Sequence, residues 1–247
     1  ESRSAAQRMV MAGSVRINGQ VALKPSVNVS SGDVVSIDQP PLFVSRGGEK
    51  LQGALEAFHI ESLNGVVCVD VGASTGGFTD CLLQHGADKV YAVDVGYGTL
   101  HWKLRQDARV VVMEKTNARF VKGFPEKIGL VTIDASFISL RTLLPVVQSW
   151  FEGEKGVIIA LIKPQFEAGR IDAARGEGVI RDNLIHKRIL NEILDFVGIS
   201  GLEVLGLIQS PLTGPKGNIE FLIHLSTPAS GKTDPVEWVE PLFPDNE

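Results

Sequence analysis

A doubly wound α/β fold carrying a small appended module is predicted by three observations in the 247-residue sequence. Short apolar runs alternate with segments of helical period from Ser45 onward. A glycine-rich turn closes the first of those runs. The last two runs are joined by Pro211-Leu212-Thr213-Gly214-Pro215-Lys216-Gly217, a link too short for a crossover helix. Alternation of this kind packs a mostly parallel sheet between two helical layers, and the short terminal link makes the chain end on an antiparallel strand. With 44% hydrophobic and 21% charged residues, the chain has apolar surface for one large core and a small module.

The small module comes first. Residues 5 to 12 read as the end of a helix closed near Gly13, and the pattern opens in mid-element at Glu1, so a preceding piece is expected to be missing. Val15-Arg16-Ile17 and Val21-Ala22-Leu23 flank Asn18-Gly19-Gln20, a hairpin signal. Val27, Val29, Val34, Val35 and Ile37 supply further strand around the turn at Ser31-Gly32-Asp33, and Pro40-Pro41 marks the boundary. Four basic residues (Arg3, Arg8, Arg16, Lys24) face two acidic ones (Glu1, Asp33) within residues 1 to 37, whereas the whole chain carries a net charge of -5. This asymmetry fits a nucleic-acid module at 1–40, followed by a linker at 41–44, a catalytic domain at 45–226 and a Pro-rich, partly packed tail at 227–247.

In the large domain a helix is expected from about Glu49 to Ala57, a strand at Val66–Val71, a helix after Gly77 and a strand at Val90–Val95. Strands at Val110–Met113, Leu130–Ile133 and Val157–Ile162 follow, with helices around Leu140–Phe151 and Leu184–Val197. Val204–Ile208 and Ile219–Leu225 form the closing antiparallel pair. No run approaches the roughly 20 apolar residues of a membrane span, and Glu1-Ser2-Arg3-Ser4 does not open a signal peptide, so the cytoplasm is the default compartment. Cys68 and Cys81 read as core residues, and the five histidines (His59, His85, His101, His186, His224) have no ligand spacing, so no metal site is expected.

The strongest motif is Val69-Asp70-Val71-Gly72-Ala73-Ser74-Thr75-Gly76-Gly77-Phe78-Thr79, between a strand and a helix. Glycines there allow a ligand close to the backbone, and the helix start offers unpaired N–H groups. Asp94 ends the next strand, where a carboxylate accepts from ribose hydroxyls. Together they predict an adenosine-containing ligand. NAD is disfavoured because position 74 is Ser where the dinucleotide fingerprint has its second glycine. Gly72-Ala73-Ser74-Thr75-Gly76 also matches the hydrolase nucleophile elbow, but the turn follows the first strand, no oxyanion segment precedes it and the late His224 lies in an apolar strand. A tight turn whose glycines serve packing alone is the bland alternative.

Lys50, Asp134, Lys163 and Glu220 precede, close or open predicted strands, where open α/β sheets bind ligands. Singly each reads as a solvated residue; the combination is what points to chemistry. Asn117, in Thr116-Asn117-Ala118-Arg119, is a candidate contact to the adenine end of a cofactor or a simple turn residue. Phe166 to Asp182 contains Gly169, Gly176 and Gly178 with Arg170, Arg175 and Arg181, the composition of a mobile loop contacting RNA phosphates or of a plain solvated one.

Five segments, Ser45-Arg46-Gly47-Gly48-Glu49-Lys50-Leu51, Asp70 to Phe78, Ile133-Asp134-Ala135-Ser136-Phe137, Ile162-Lys163-Pro164-Gln165-Phe166-Glu167 and Asn218-Ile219-Glu220-Phe221, resemble in order those of the TlyA-type hemolysin/rRNA methyltransferases, whose catalytic domain is similar to that of the FtsJ ribose methyltransferases. The resemblance covers nearly the whole chain. It implies S-adenosylmethionine as cofactor, 2'-O-methylation of ribosomal RNA or a ribosomal subunit, and a Lys-Asp-Lys-Glu tetrad at Lys50, Asp134, Lys163 and Glu220. Asp70, Gly72, Ala73, Ser74, Thr75, Gly76, Gly77, Phe78, Asp94 and Asn117 become the candidate cofactor contacts. Arg3, Arg8, Arg16, Lys24 and Arg46 become the candidate RNA contacts. The N-terminal piece resembles an RNA-binding module shared with a small-subunit ribosomal protein. A ribose hydroxyl must lose its proton as it attacks, so Lys163 is the candidate base, with Lys50 supplying positive charge, Asp134 orienting and Glu220 holding a lysine or the ribose. The rivals are a membrane-active hemolysin, which the lack of a spanning or strongly amphipathic segment disfavours, and a noncatalytic RNA-binding protein on the same fold.

Overall fold

The computed structural model describes residues 2–38, 41–168, 178–214, 216–231 and 234–244. The chain divides into two compact units, Glu1–Leu42 and Phe43–Glu247.

In the first unit helix α1 (Arg3–Met11) begins at Ser2, whose hydroxyl accepts from the Ala5 amide. Strand β1 (Val15–Ile17) pairs antiparallel with β2 (Gln20–Val21) and with β3 (Val35–Ile37). The hairpin forms where Asn18-Gly19 predicts it: both residues have positive φ, +50° and +81°, as a two-residue mirror-image turn demands. Val27, Val29 and Val34, expected to extend the strands, lie outside them and are exposed; only Val35 and Ile37 of this set enter a strand, through the backbone pairing of β3 with β1.

The second unit holds a seven-stranded sheet. Its elements in order are α2 (Gly47–Ala57), β4 (Val67–Val71), α3 (Gly77–Gln84), β5 (Lys89–Val93), α4 (Trp102–Arg105), β6 (Val110–Met113), β7 (Leu130–Ile133), α5 (Leu140–Ser149), β8 (Gly156–Ile162), α6 (Pro164–Glu167), α7 (Asn183–Ile199), β9 (Glu203–Gln209), β10 (Phe221–Thr227) and α8 (Pro235–Val239). The strand order is β6-β5-β4-β7-β8-β10-β9. Strands β4 to β8 are parallel, and β10 inserts antiparallel between β8 and β9. The final hairpin of the sequence therefore places its second strand inside the sheet and its first at the edge.

Both faces of the sheet are covered, which explains why its strands read as unbroken apolar runs. Val69, Val71, Ile158, Ala160, Ile162, Phe221 and Ile223 point into one core beside α5 and α7, while Cys68, Val90, Ile159, Leu161 and Leu222 point into the other beside α2 and α3. Phe43 and Val44, expected in a linker, belong to this unit. Phe43 is buried against Gly48, where an added Cβ would come within 2.2 Å of its ring, and the Val44 amide donates to Asp80. The tail also packs more closely than its composition predicts: Val239 is fully buried, and Trp238, Leu242 and Phe243 lie on the same core. Trp238 and Val239 close α8, and the 3-10 turn Glu240–Leu242 that follows brings Leu242 and Phe243 onto the same side.

Candidate active site

Strand β4 ends at Val71, and the chain reverses through Gly72 to Gly76 into α3. Gly72 has φ +85°, and a Cβ there would lie 2.7 Å from the Asp134 carbonyl, so glycine is required on both counts. Asp70 lies beneath the turn, fully buried, and accepts from Thr79 Oγ1 at 2.6 Å and Thr132 Oγ1 at 3.1 Å. Burial pushes its carboxyl up to about 7, against the opposing pull of those two hydroxyls. Asp94, directly after β5, accepts the Ser74 amide on Oδ2 at 2.8 Å and the Gly96 amide on Oδ1 at 2.6 Å. Its carboxylate is thereby fixed beside the glycine turn with lone pairs left over for a ligand.

Three adjoining cavities follow this carboxyl edge. One of about 450 Å³ is lined by Gly72, Ser74, Asp94, Asn117 and Asp134. A second of about 230 Å³ shares Gly72, Ser74 and Asp134 and reaches Arg46 and Lys50. A third of about 310 Å³ shares Ser136 and Phe137 with the first and holds Lys163, Gln165 and Glu220.

The four residues of the candidate tetrad form two buried or half-buried ion pairs. Lys50 Nζ donates to Glu220 Oε2 at 2.6 Å, and Lys163 Nζ lies 2.6 Å from Asp134 Oδ1. The second contact is an ion pair outside hydrogen-bonding angles; Lys163 directs its hydrogen bond to Ser136 Oγ at 3.1 Å instead. Gln165 Nε2 donates to the other Glu220 oxygen at 3.4 Å. Lys50 reaches the site from the first turn of α2, Asp134 from the end of β7, Lys163 from the end of β8 and Glu220 from the residue before β10.

Not every sequence candidate borders a cavity. Ala73, Thr75, Gly77 and Phe78 do. Asp70 and Gly76 do not: Asp70 braces the turn from below, and Gly76, at φ +97°, makes room for Leu104. Asn117 lines the 450 Å³ cavity, and its side-chain oxygen accepts the Arg119 amide at 3.1 Å, as a turn residue does. Ser74 adopts φ +49°, the strain of a nucleophile elbow, but the ring of His224 packs on Phe58, so the histidine of a hydrolase triad is otherwise engaged. Arg3, Arg8, Lys24 and Arg46 are exposed, and Arg16 pairs with Asp38 at 2.8 Å. Residues 169–177, with Arg170 and Arg175 of the expected phosphate-contacting loop, lie outside the described residues; Arg181 is described and exposed.

Residues 43–227 match the FtsJ-like methyltransferase family, and residues 1–35 match the S4 domain. The chain belongs to the FtsJ-like methyltransferase family. The methyltransferase is 45% identical to the 16S/23S rRNA (cytidine-2'-O)-methyltransferase TlyA of Mycobacterium tuberculosis, over 92% of this chain and 85% of that protein. It is 43% identical to Hemolysin A of Brachyspira hyodysenteriae, over 91% and 93% respectively. A solved structure described as a hemolysin, from Streptococcus thermophilus, superimposes with a TM-score of 0.78 at 42% identity, covering 98% of this chain and 89% of that one. Among the described residues of the methyltransferase no helix is long and apolar enough to cross a membrane.

The cofactor of such a methyltransferase is S-adenosylmethionine, and the residues present fit it. The Gly72 turn admits a ligand against backbone, Asp94 offers a fixed acceptor, and the 450 Å³ cavity between them lies within the roughly 300–1,000 Å³ of small-molecule sites. Sequence reasoning missed four participants: Ser136, Phe137, Gln165 and Gly214. Phe137 is 90% exposed at φ +63° and packs its ring 4.9 Å from that of Phe166 at the mouth of the Lys163 cavity. A bulky side chain left exposed on strained backbone beside Lys163 and Asp134 was visible in sequence only as a neighbour of Asp134.

Proposed function

We propose that the chain methylates a ribose 2'-hydroxyl of ribosomal RNA, with Lys50, Asp134, Lys163 and Glu220 as its catalytic group. The observation that carries this reading is the pair of lysine–carboxylate contacts, each 2.6 Å, whose residues line the two cavities that adjoin the one suited to the cofactor, with Asp134 lining that one as well. The rRNA (cytidine-2'-O) activity named for two relatives, at 45% and 37% identity, supports the substrate class, and the S4 match supports RNA as partner.

When bound, S-adenosylmethionine supplies an electrophilic methyl group. The chain's residues then have separate tasks. Asp94, Ser74 and the Gly72 turn would hold the cofactor, and Asn117 would contact its adenine. Lys163, an ammonium in its resting ion pair with Asp134, first releases a proton to water; as the free amine its Nζ then accepts the proton of the attacking hydroxyl, and Asp134 compensates the ammonium formed again. Lys50, kept in place by Glu220, offers positive charge to the oxygen as it loses its proton. Phe137 and Phe166 give the target nucleotide an aromatic surface at the entrance.

The test is transfer of radiolabelled methyl to unmodified ribosomal RNA. Lys163→Ala is expected to lower turnover by about 10²–10⁴-fold, with cofactor affinity by calorimetry unchanged. Full turnover by that variant would remove Lys163 from the mechanism, and label on a base rather than a ribose would overturn the reaction assigned.

A further inference from the structure

We infer that the loops following β5 and β6 form a docking platform for unpaired RNA on the catalytic unit itself. The inference rests on the RNA reading above and extends the aromatic surface at Phe137 to rings and a lysine that lie outside the cofactor cavity. Among the described residues, the exposed Phe, Tyr and Trp side chains are Tyr97 (72%), Trp102 (66%), Phe120 (76%) and Phe137 (90%). All four follow the carboxyl ends of parallel strands, after β5, β5, β6 and β7. Exposed aromatic rings gathered at one edge of a sheet mark a binding surface rather than scattered surface residues.

The charges beside Tyr97 and Phe120 point to the partner. Lys115 Nζ lies 4.3 Å above the Tyr97 ring, and the Arg119 guanidinium lies 5.4 Å from the Phe120 ring. The two loops are laced together, since the Lys115 amide donates to the Gly96 carbonyl and the Thr116 amide to the Asp94 carbonyl, both at 2.9 Å. Lys115 is held at φ +52°, a conformation costly for a residue with a side chain, and in it the ammonium faces the tyrosine. Neighbouring carboxylates are occupied: Glu114 by Arg105 and the Gly98 amide, Asp94 by the Ser74 and Gly96 amides. Lys115, Arg119 and Lys122 form no carboxylate pair among the described residues. Rings that stack on bases, interleaved with cations that meet phosphates, are the combination that single-stranded RNA recognition requires. Tyr97, Phe120 and Lys115 stand outside the lining of the 450 Å³ cavity, so their work is separable from cofactor binding.

The full chain is titrated into a short, unstructured fluorescein-labelled RNA, read by anisotropy, alongside a Tyr97→Ala/Phe120→Ala double variant. The double variant is expected to bind roughly tenfold or more weakly, while its S-adenosylmethionine affinity by calorimetry stays at the wild-type value. Tyr97→Phe, which keeps the ring, is expected to retain affinity. Lys115→Gln is expected to reduce the slope of log affinity against log salt by about 0.7. Unchanged RNA affinity in the double variant overturns the platform, as does a wild-type dimer in sedimentation that the double variant dissolves, which would make the face a contact between copies. Because the titration needs no methyl transfer, an inactive chain with ring-dependent RNA binding would sink the catalytic reading alone.

Discussion

Glu220 is 1% exposed, and its burial is tolerable because Lys50 and Gln165 each donate to one of its oxygens. Gly214 completes the seat: a Cβ there would lie 2.6 Å from Glu220 Oε1. Gly214→Ala is expected to push the carboxylate away from Lys50 and lower turnover roughly tenfold or more, with cofactor affinity intact and partial recovery on adding Glu220→Asp. Wild-type turnover in the single variant would show that the seat is dispensable. Asp70 makes a prediction about pH. Its folded carboxyl is raised from 3.8 to about 7 by burial, so between those values the folded state holds a proton that the unfolded chain has released. Stability therefore falls as pH rises through that window, by up to about 1.4 kcal/mol per pH unit, and levels off above it. Glu167, also raised by burial, acts in the same direction. Urea titrations across this range should show a declining midpoint that Asp70→Asn flattens; parallel profiles for the two proteins would contradict the assignment.

Asn218 works between elements. Its Nδ2 donates to the Gly178 carbonyl at 2.9 Å and its Oδ1 accepts the Ile180 amide at 3.0 Å, two residues before Glu220. His186 of α7 bonds the Ile180 carbonyl at 3.2 Å; burial lowers its pKa, keeping the ring neutral in the apolar setting of Phe221 and Phe243. The segment 178–180 is thus tied to both α7 and the approach to β10. Gly178 lines the cavity that contains Lys163 and Glu220, so the tie shapes the site as well as the fold. Asn218→Ala is expected to cost about 2–3 kcal/mol, read as a fall in Tm, and to lower turnover more than the stability loss alone explains. An unchanged Tm would show that those two bonds are replaced by water.

At the scale of the molecule the two units differ in what holds them. Among the described residues of the first unit only Ala22 is buried, whereas strands β4, β7 and β8 run through residues almost wholly excluded from water. A unit of this size with so little core is marginal. Hydrogen exchange should therefore replace the amides of the β1–β2 and β1–β3 ladders well before those of β4 and β7 in the folded chain. Equal protection in the two ladders would mean that the first unit gains stability from something other than its own core.

The glycine turn, Asp94, the strand sequence and the ordered tetrad motifs were legible because each is local: a turn needs its glycines, a buried strand needs its apolar run, and a strand end carries its polar residue next in the chain. The Asn18-Gly19 hairpin was legible for the same reason, since few other residue pairs adopt two positive φ angles cheaply. What the tertiary structure decided is who meets whom. Lys50 and Glu220 are 170 residues apart, and their contact depends on β10 inserting between β8 and β9, a choice that no periodicity encodes. The seat at Gly214, the exposed ring of Phe137 and the burial of Val239 were likewise hidden, because each is a relation between a residue and a distant surface that exists only after the sheet has formed.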